Sequence, residues 1–403
     1  MTSPAGASDA AASDVVPSSR ARLRDRLVSV LPFVILAVAA VSVRATLFPI
    51  ETIDVRDALA GWFTHLRDHG HFAALKDNVG NYPPSYLYFL ALTSYLRVAP
   101  IVGIKIIPVA FDVALACAFL SIVADRTASQ WGRIVAFALP LFSPTLVING
   151  SAWGQCDVMY TTFVVLSLRS ALRDDWRRAM ALAGAAMSFK LQAIFFLPAL
   201  GLMFLKARGP WRALPWAPVV FVATMLPALA IGRPLHDLVT LYTGQVGLFH
   251  SLSLGGANFY QWIPNAPFAI LRVTGIVLTL SLLVFIACIS WLSPVQWRGR
   301  ERVLLALLTC ILCPFFLPEM HERYFLSADV ISLLLPFFMP RRWWIPILVV
   351  NASALCCLPF MFGQQPVEFK WPALMMGVAL FRVAGDWIRA QGLPPIVRAD
   401  ATS

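Results

Sequence analysis

APFAILRVTGIVLTLSLLVFIACISWLS, residues 266–293, runs for 28 residues with one charged side chain, Arg272. A helix crosses a hydrocarbon core with about 17–25 apolar residues, whereas a barrel strand needs about 9–11. Barrel strands also alternate apolar and polar residues, which this run does not. The basic cluster Arg298–Arg302 follows directly. Similar apolar runs cover 27–49, 84–97, 101–124, 134–149, 158–171, 179–205, 214–231, 303–317, 325–339, 343–362 and 371–388. The whole chain of 403 residues is 59% hydrophobic and 13% charged, against about 45–50% and about 25% in soluble domains. Too few polar side chains remain to coat a soluble protein of this size. The expected fold is an all-α polytopic membrane protein of about 10–12 transmembrane or half-membrane helices.

The net charge of +11 does not point to nucleic acid. Basic residues cluster at segment ends, at Arg20–Arg26, Arg173–Arg178, Lys206–Arg212, Arg298–Arg302 and Arg341–Arg342. That pattern marks cytoplasmic loops facing anionic lipid. The segments 50–83, 232–265, 318–324 and 363–370 then read as external, and they hold the Asp, His, Asn, Gln, Tyr and Trp residues. Residues 1–19 and 391–403 read as cytoplasmic tails, the first of them disordered, around one membrane domain, 20–390. The seven cysteines lie mostly in apolar runs and read as packing; Cys310 and Cys313 form a CxxC without a second ligand pair.

Run 179–205 has basic clusters at both ends and carries Lys190, Gln192 and Pro198 inside it. A broken hairpin of two half-spans with Lys190 at the outer surface accounts for this. Pro140 and Pro144 suggest another half-membrane segment. Irregular backbone at membrane depth must be shielded by protein or line a wet cavity, so these breaks imply a cavity.

Five polar groups bear on chemistry. In the first external loop, Leu59, Trp62, Phe63 and Leu66 lie on one helical side and Arg56, Asp57, Arg67 and Asp68 on the other, which predicts an interfacial helix. Asp54 opens it, either as an N-cap or as a carboxylate at the membrane surface. In NGSAWGQCD, 149–157, Gln155 and Asp157 lie in a polar island, and Asp157 beside a span must be solvated or paired. In SFKLQAIFF, 188–196, Lys190 either snorkels to an interface or faces a cavity and binds an anion, with Gln192 beside it. In PEMHERYF, 318–325, His321, Glu322 and Arg323 form a charged turn; Phe325 rules out an HExxH zinc site. Such cations can hold phosphate oxygens, and a solvated loop is the competing reading. In GGANFYQWIPN, 255–265, Asn258, Tyr260 and Trp262 suit either sugar recognition or an aromatic belt. Lys105 and Asp112, at i and i+7, read as structural.

The order Asp54, NYPPSYLYFLALTSYL, NGSAWGQCD, SFKLQAIFF, NFYQW, HERYF resembles the membrane-embedded GT-C glycosyltransferases over about residues 27–340. It is most similar to bacterial mannosyltransferases related to the second GPI mannosyltransferase. HERYF and FK-x-Q also resemble the glucosyltransferases that extend the dolichol-linked oligosaccharide. The resemblance implies a GT-C-like bundle, a polyprenyl-phosphate sugar donor and a site on the non-cytoplasmic side. It implies Asp54 as the base, with Asp57 as a rival because the local sequence is TIDVRD, and it puts Lys190, Gln192, His321 and Arg323 near the lipid phosphate.

The chemistry such a donor needs is compatible with these residues. Phosphate is a workable leaving group. The protein must take a proton from an acceptor hydroxyl and neutralise the departing charge, and attack opposite the phosphate inverts the anomeric centre. The expected function is therefore an inverting hexosyltransferase, with mannose as the sugar and a lipid, glycan or protein as the acceptor. No cofactor is required; a divalent metal, to which Asp157 and Glu322 could contribute, is possible but not indicated. A secondary transporter or flippase is the rival class, since intramembrane ionisable groups suit both. The 32 basic residues include only five lysines, which points to a GC-rich bacterial genome and an inner membrane.

Overall fold

The computed structural model describes residues 19–245, 249–363 and 365–393. The expected tails fall almost wholly outside these residues. The architecture is all-α, and the two strands among the described residues, Ser253–Leu254 and Met320–His321, are two residues each and pair in parallel.

Among the described residues, six helical segments are long and apolar enough to cross a membrane by length and composition: Val28–Ala45, Pro100–Val123, Gln130–Ala152, Trp211–Ile231, Phe268–Leu292 and Pro340–Phe362. Shorter or more charged helices fill the space between them, among them Asp157–Leu172, Trp176–Phe189, Gly299–Phe316 and Lys370–Arg389. Among the described residues, the expected total of about 10–12 thus divides into six helices long and apolar enough to span and a set of shorter or more charged ones. Helix Gly299–Phe316 is apolar all round from Val303 to Phe315 and buried along that whole length. A helix of that kind belongs in a core, and it forms the centre of the bundle.

Successive helices alternate in direction, and ties at one end make this visible. Arg173 pairs with Asp125 at 2.6 Å, Arg302 with Asp174 at 2.8 Å, and Arg342 with Asp386 at 2.5 Å. Lys206 Nζ donates to the Ser290 carbonyl at 3.0 Å, and the Arg126 guanidinium lies over Phe338. The basic clusters of the sequence therefore gather at one end of the bundle. Asp54, Trp153, Lys190 and His321 lie at the other.

The hairpin at 179–205 has the expected form, except that Lys190 at its tip is buried against Gln155 and Asp157 rather than at a surface. Helix Trp176–Phe189 stops at Lys190, whose backbone is extended (φ −154°, ψ 145°), and the chain turns back through Leu191–Phe196 into Leu197–Lys206. Trp176 meets Phe204 with ring centroids 5.5 Å apart, so both feet of the hairpin stand at the basic end. The Pro140–Pro144 segment differs from expectation. Gln130–Leu141 continues through Pro144–Leu146 and the π-helical turn Val147–Ala152, which together make one full-length broken span.

The first-loop helix also departs from expectation in what it faces. Residues Val55–Leu59 and Ala60–Asp68 are helical, with Leu59, Phe63 and Leu66 buried and Arg56, Asp57, Arg67 and Asp68 exposed. The apolar side lies on protein rather than lipid. Phe63 fills the space above Gly103, where a Cβ would come within 2.4 Å of its ring. The loop is thereby fastened to helix Pro100–Val123.

Lys105 and Asp112 of that helix are structural, as expected. Asp112 pairs with Arg44 at 2.6 Å, both 1% exposed. The Lys105 ammonium donates to the carbonyls of Leu47 (3.3 Å), Phe48 (3.1 Å), Ile50 (2.5 Å) and Ala152 (3.0 Å). It joins the chain leading into Asp54 to the residue just before Trp153.

Candidate active site

Three chain breaks converge at the end away from the basic clusters: the turn after the first span, the WGQ-x-D loop and the Lys190 tip. Asp54 opens the first helical turn, but its side chain makes no capping hydrogen bond. Its Oδ2 instead accepts from the Trp153 indole N–H at 2.9 Å and the Gln155 amide at 2.5 Å. Among the described residues no group donates to Oδ1. Thr52 Oγ1 also donates to the Trp153 carbonyl at 3.0 Å, which locks the two loops together. Gly154 is needed in that loop: its φ is +83°, and a Cβ would meet Val55 Cγ2 at 2.8 Å. Asp57 lies outside this arrangement, exposed and paired with Arg56 at 2.7 Å.

The other face of the Gln155 amide turns to the cation cluster. Its Oε1 accepts from Tyr82 OH at 2.9 Å and Lys190 Nζ at 3.3 Å. Lys190 Nζ also donates to Asp157 Oδ1 at 2.9 Å, and Asn149 Nδ2 donates to Asp157 Oδ2 at 3.0 Å. Asp157 is fully buried, so these partners replace the water it lost. Arg323 approaches the same carboxylate at 3.9 Å, and its NH1 donates to Glu322 at 2.5 Å. His321 Nδ1 stands 3.5 Å from Glu322. Burial pushes the Glu322 carboxyl up, but Arg323 and His321 outweigh it and hold it below the usual carboxylate range. Burial pushes the Tyr82 phenol up to about 12, so it is a hydrogen-bond donor at neutral pH.

A cavity of about 120 Å³ opens among Tyr82, Lys190, Gln192, His321, Arg323 and Tyr324. The carboxylates of Asp157 and Glu322 stand behind this lining and orient the cations. Trp153 lies under the Arg323 guanidinium at 5.5 Å, and Tyr82 under the Lys190 ammonium at 4.8 Å. Gln192 and Tyr324 are shared with a second cleft of about 280 Å³, whose other walls include Ile194, Phe195, Ile276 and Leu317. A cationic chamber thus adjoins a mostly apolar cleft, which also carries Arg272 and Glu319 on its wall. Among the described residues no three His, Cys, Asp or Glu side chains gather as a metal-binding set.

The structure brings Asp54, Gln155, Asp157, Lys190, Gln192, His321, Glu322 and Arg323 to this one region. It does not bring Asn258, Tyr260 and Trp262 into the cavity lining. Asn258 Oδ1 caps its own turn by accepting from the Tyr260 N–H at 3.2 Å, Tyr260 OH donates to the Phe316 carbonyl at 2.8 Å, and Trp262 is exposed. This segment braces the His321 turn through the strand pairing Leu254–His321. Tyr82, Trp153 and Tyr324 join the site without having been singled out from the sequence. Each sits within or beside a quoted motif, but a tyrosine or tryptophan at a membrane surface carries no distinguishing signal of its own.

The family model described as Glycosyltransferase family 87 matches residues 80–318, more than half of the chain. The chain belongs to glycosyltransferase family 87. A comparison with curated proteins gives no match. Family membership makes the protein a glycosyltransferase and favours that class over the transporter alternative. The finer kinship with the second GPI mannosyltransferase is no part of the match. The matched region holds Tyr82, the WGQ-x-D loop, Lys190 and Gln192, while Asp54 and the turn with His321, Glu322 and Arg323 lie outside it. What joins those two regions to the family's segment is the hydrogen-bond network itself.

Proposed function

We propose that this glycosyltransferase moves a hexose, mannose foremost, from a polyprenyl-phosphate carrier to an acceptor hydroxyl on a lipid, glycan or protein. The reaction takes place at the non-cytoplasmic face of a bacterial inner membrane and inverts the anomeric carbon. One observation carries the reading: a cavity lined by Lys190, His321 and Arg323 lies one amide, Gln155, away from Asp54 and adjoins a mostly apolar cleft. A donor with a phosphate between a sugar and a hydrocarbon chain has this same succession of parts.

In the proposed reaction the phosphate sits against Lys190, Arg323 and His321 and the chain follows the apolar cleft. Asp54 Oδ1 takes the proton of the acceptor hydroxyl. The acceptor oxygen forms the new bond to C1 as the bond from C1 to the phosphate oxygen breaks, and the electron pair leaves on the phosphate. Lys190 and Arg323 face that growing charge from fixed positions, so little reorganisation is needed as the bond breaks. The step needs no resident metal, because these two cations do that work. Position relative to the basic end supports the non-cytoplasmic assignment, since basic loops stay in the cytoplasm. Mannose rests on the sequence resemblance alone.

Purified protein offered short-chain polyprenyl-phosphate mannose, polyprenyl-phosphate glucose or a nucleotide-linked sugar tests the reading. Transfer from the first and release of polyprenyl phosphate are expected. Efficient transfer from the nucleotide-linked sugar with none from the lipid donors would refute it.

A further inference from the structure

The end of the bundle opposite the candidate active site holds a charge arrangement that sugar transfer does not use. Asp386 is 2% exposed. It accepts from Arg342 Nε at 2.5 Å and NH2 at 2.9 Å, and from Arg389 NH2 at 2.9 Å; Arg382 Nε stands 3.3 Å away. Among the described residues no second carboxylate pairs with any of the three guanidiniums. One negative charge therefore faces three positive ones, and each guanidinium has five N–H donors to satisfy. The carboxylate holds the cations in place without neutralising them.

The positions along helix Lys370–Arg389 show where the excess points. Trp371, Leu374, Val378, Arg382, Gly385 and Arg389 follow one another at steps of three or four, so they share one helix face. Trp371, Leu374 and Val378 are exposed, as a lipid-facing stripe would be, and Arg389 is exposed beyond them. Gly385 leaves a notch one turn from each arginine, and a Cβ there would lie 3.5 Å from Arg389 NH2. A stripe of exposed apolar side chains leads from the membrane interior directly to a glycine notch flanked by two guanidiniums.

We propose that this notch binds the headgroup of an anionic phospholipid. The phosphate lies over Gly385 between Arg382 and Arg389, and the acyl chains run along Val378, Leu374 and Trp371. A soluble anion would make no use of the stripe, and a zwitterionic lipid would leave the surplus charge unmatched. The site sits at the basic end of the bundle, the leaflet side where anionic lipids attract interfacial arginines.

Native mass spectrometry of the full-length protein, with equal amounts of phosphatidylglycerol and phosphatidylcholine added, tests this. Phosphatidylglycerol should be retained about thirtyfold over phosphatidylcholine, the scale of two interfacial basic residues at about 1 kcal/mol each. Arg382→Gln with Arg389→Gln should abolish the preference; Arg342 stays to keep Asp386 paired, and melting in detergent without lipid checks the fold. Gly385→Leu fills the notch at constant charge and should also abolish it, which decides the matter if the double variant does not fold. Arg177→Gln with Arg178→Gln removes the same charge from the same end and should leave the preference intact. Three outcomes overturn the proposal: no preference in the wild type, retention in Gly385→Leu, or equal loss in the Arg177 and Arg178 variant. Displacement of the lipid by inorganic phosphate alone would likewise overturn it, in favour of a soluble-anion site.

Discussion

Replacing Asp54 with Asn separates a base from a structural carboxylate, because the structure shows what the change keeps. Both donors to Asp54, the Trp153 indole and the Gln155 amide, bind the same oxygen, Oδ2. An asparagine oriented with its oxygen there accepts both bonds and puts its amide where Oδ1 was. The loop, the indole and Gln155 therefore stay in place, and so does the Lys190 side of the amide. What disappears is the atom that can take a proton. General-base removal costs about 10²–10⁴ in rate, which is about 2.7–5.5 kcal/mol at 1.36 kcal/mol per tenfold. The drop should fall on kcat, measured as release of polyprenyl phosphate, because the phosphate-binding cations are untouched and the affinity for polyprenyl phosphate should hold. Asp57→Asn is the control: that side chain is exposed and bonded only to Arg56, so turnover should change by less than about twofold, as for surface substitutions. An Asp54→Asn protein that turns over at the wild-type rate would remove the reasoning at its root. A loss confined to Asp57→Asn would transfer the role to that residue.

Arg323→Gln should weaken binding of polyprenyl phosphate by about 1.5–3 kcal/mol, the value of a hydrogen bond to a charged group; unchanged affinity in a titration would remove Arg323 from the phosphate site. Lys190→Met strands the buried Asp157 and should destabilise the protein by about 3–5 kcal/mol, whereas Lys190→Met with Asp157→Asn should recover melting temperature without recovering donor binding. Lys105→Met orphans carbonyls on both sides of the Asp54 loop, at about 1–3 kcal/mol for each buried group left unpaired, and should lower turnover together with the melting temperature; a normal rate would show that the loop holds itself. The Glu322 carboxyl is held below its ordinary value in the folded protein, so its stabilising contribution is complete above the unfolded value, about 4.3, and is lost as pH falls towards the folded value. Melting temperature should fall below about pH 4.3, and less steeply in Glu322→Gln; an identical decline in both proteins would contradict this.

The membrane class and the hairpin at Lys190 were legible because each rests on local composition: long apolar runs, basic clusters and a lysine far from either flank. Lys190 was recognisable as a charge stranded in apolar sequence, and His321 and Arg323 as a cationic turn between two apolar runs. The role of Gln155 was not, because its importance lies in joining Asp54 to Lys190 across 101 and 35 residues of sequence separation. The Asn258–Trp262 segment shows the opposite limit. Amides and aromatic rings serve equally as sugar contacts and as turn caps, and only the direction of Tyr260 OH, towards the Phe316 carbonyl, tells the two apart. The first-loop helix was correct in its two faces, yet amphipathicity alone does not distinguish a lipid surface from the side of another helix, and Phe63 over Gly103 decided for protein.

The broken hairpin sets the depth at which the chemistry happens. Helix Trp176–Phe189 has 14 residues, which at about 1.5 Å each raises Lys190 at most about 21 Å above its foot. The hydrocarbon core is about 30 Å thick. If its foot stands at the near edge of that core, the ammonium that faces the cavity would sit several ångströms beneath the far headgroup plane. A donor drawn down to it would leave bulk water behind before its glycosidic bond breaks. For a sugar bound to a good leaving group, the commonest competing nucleophile is water, and such a depth would keep that competitor scarce. Fidelity to the acceptor over hydrolysis would then follow from two helices being one turn or more too short.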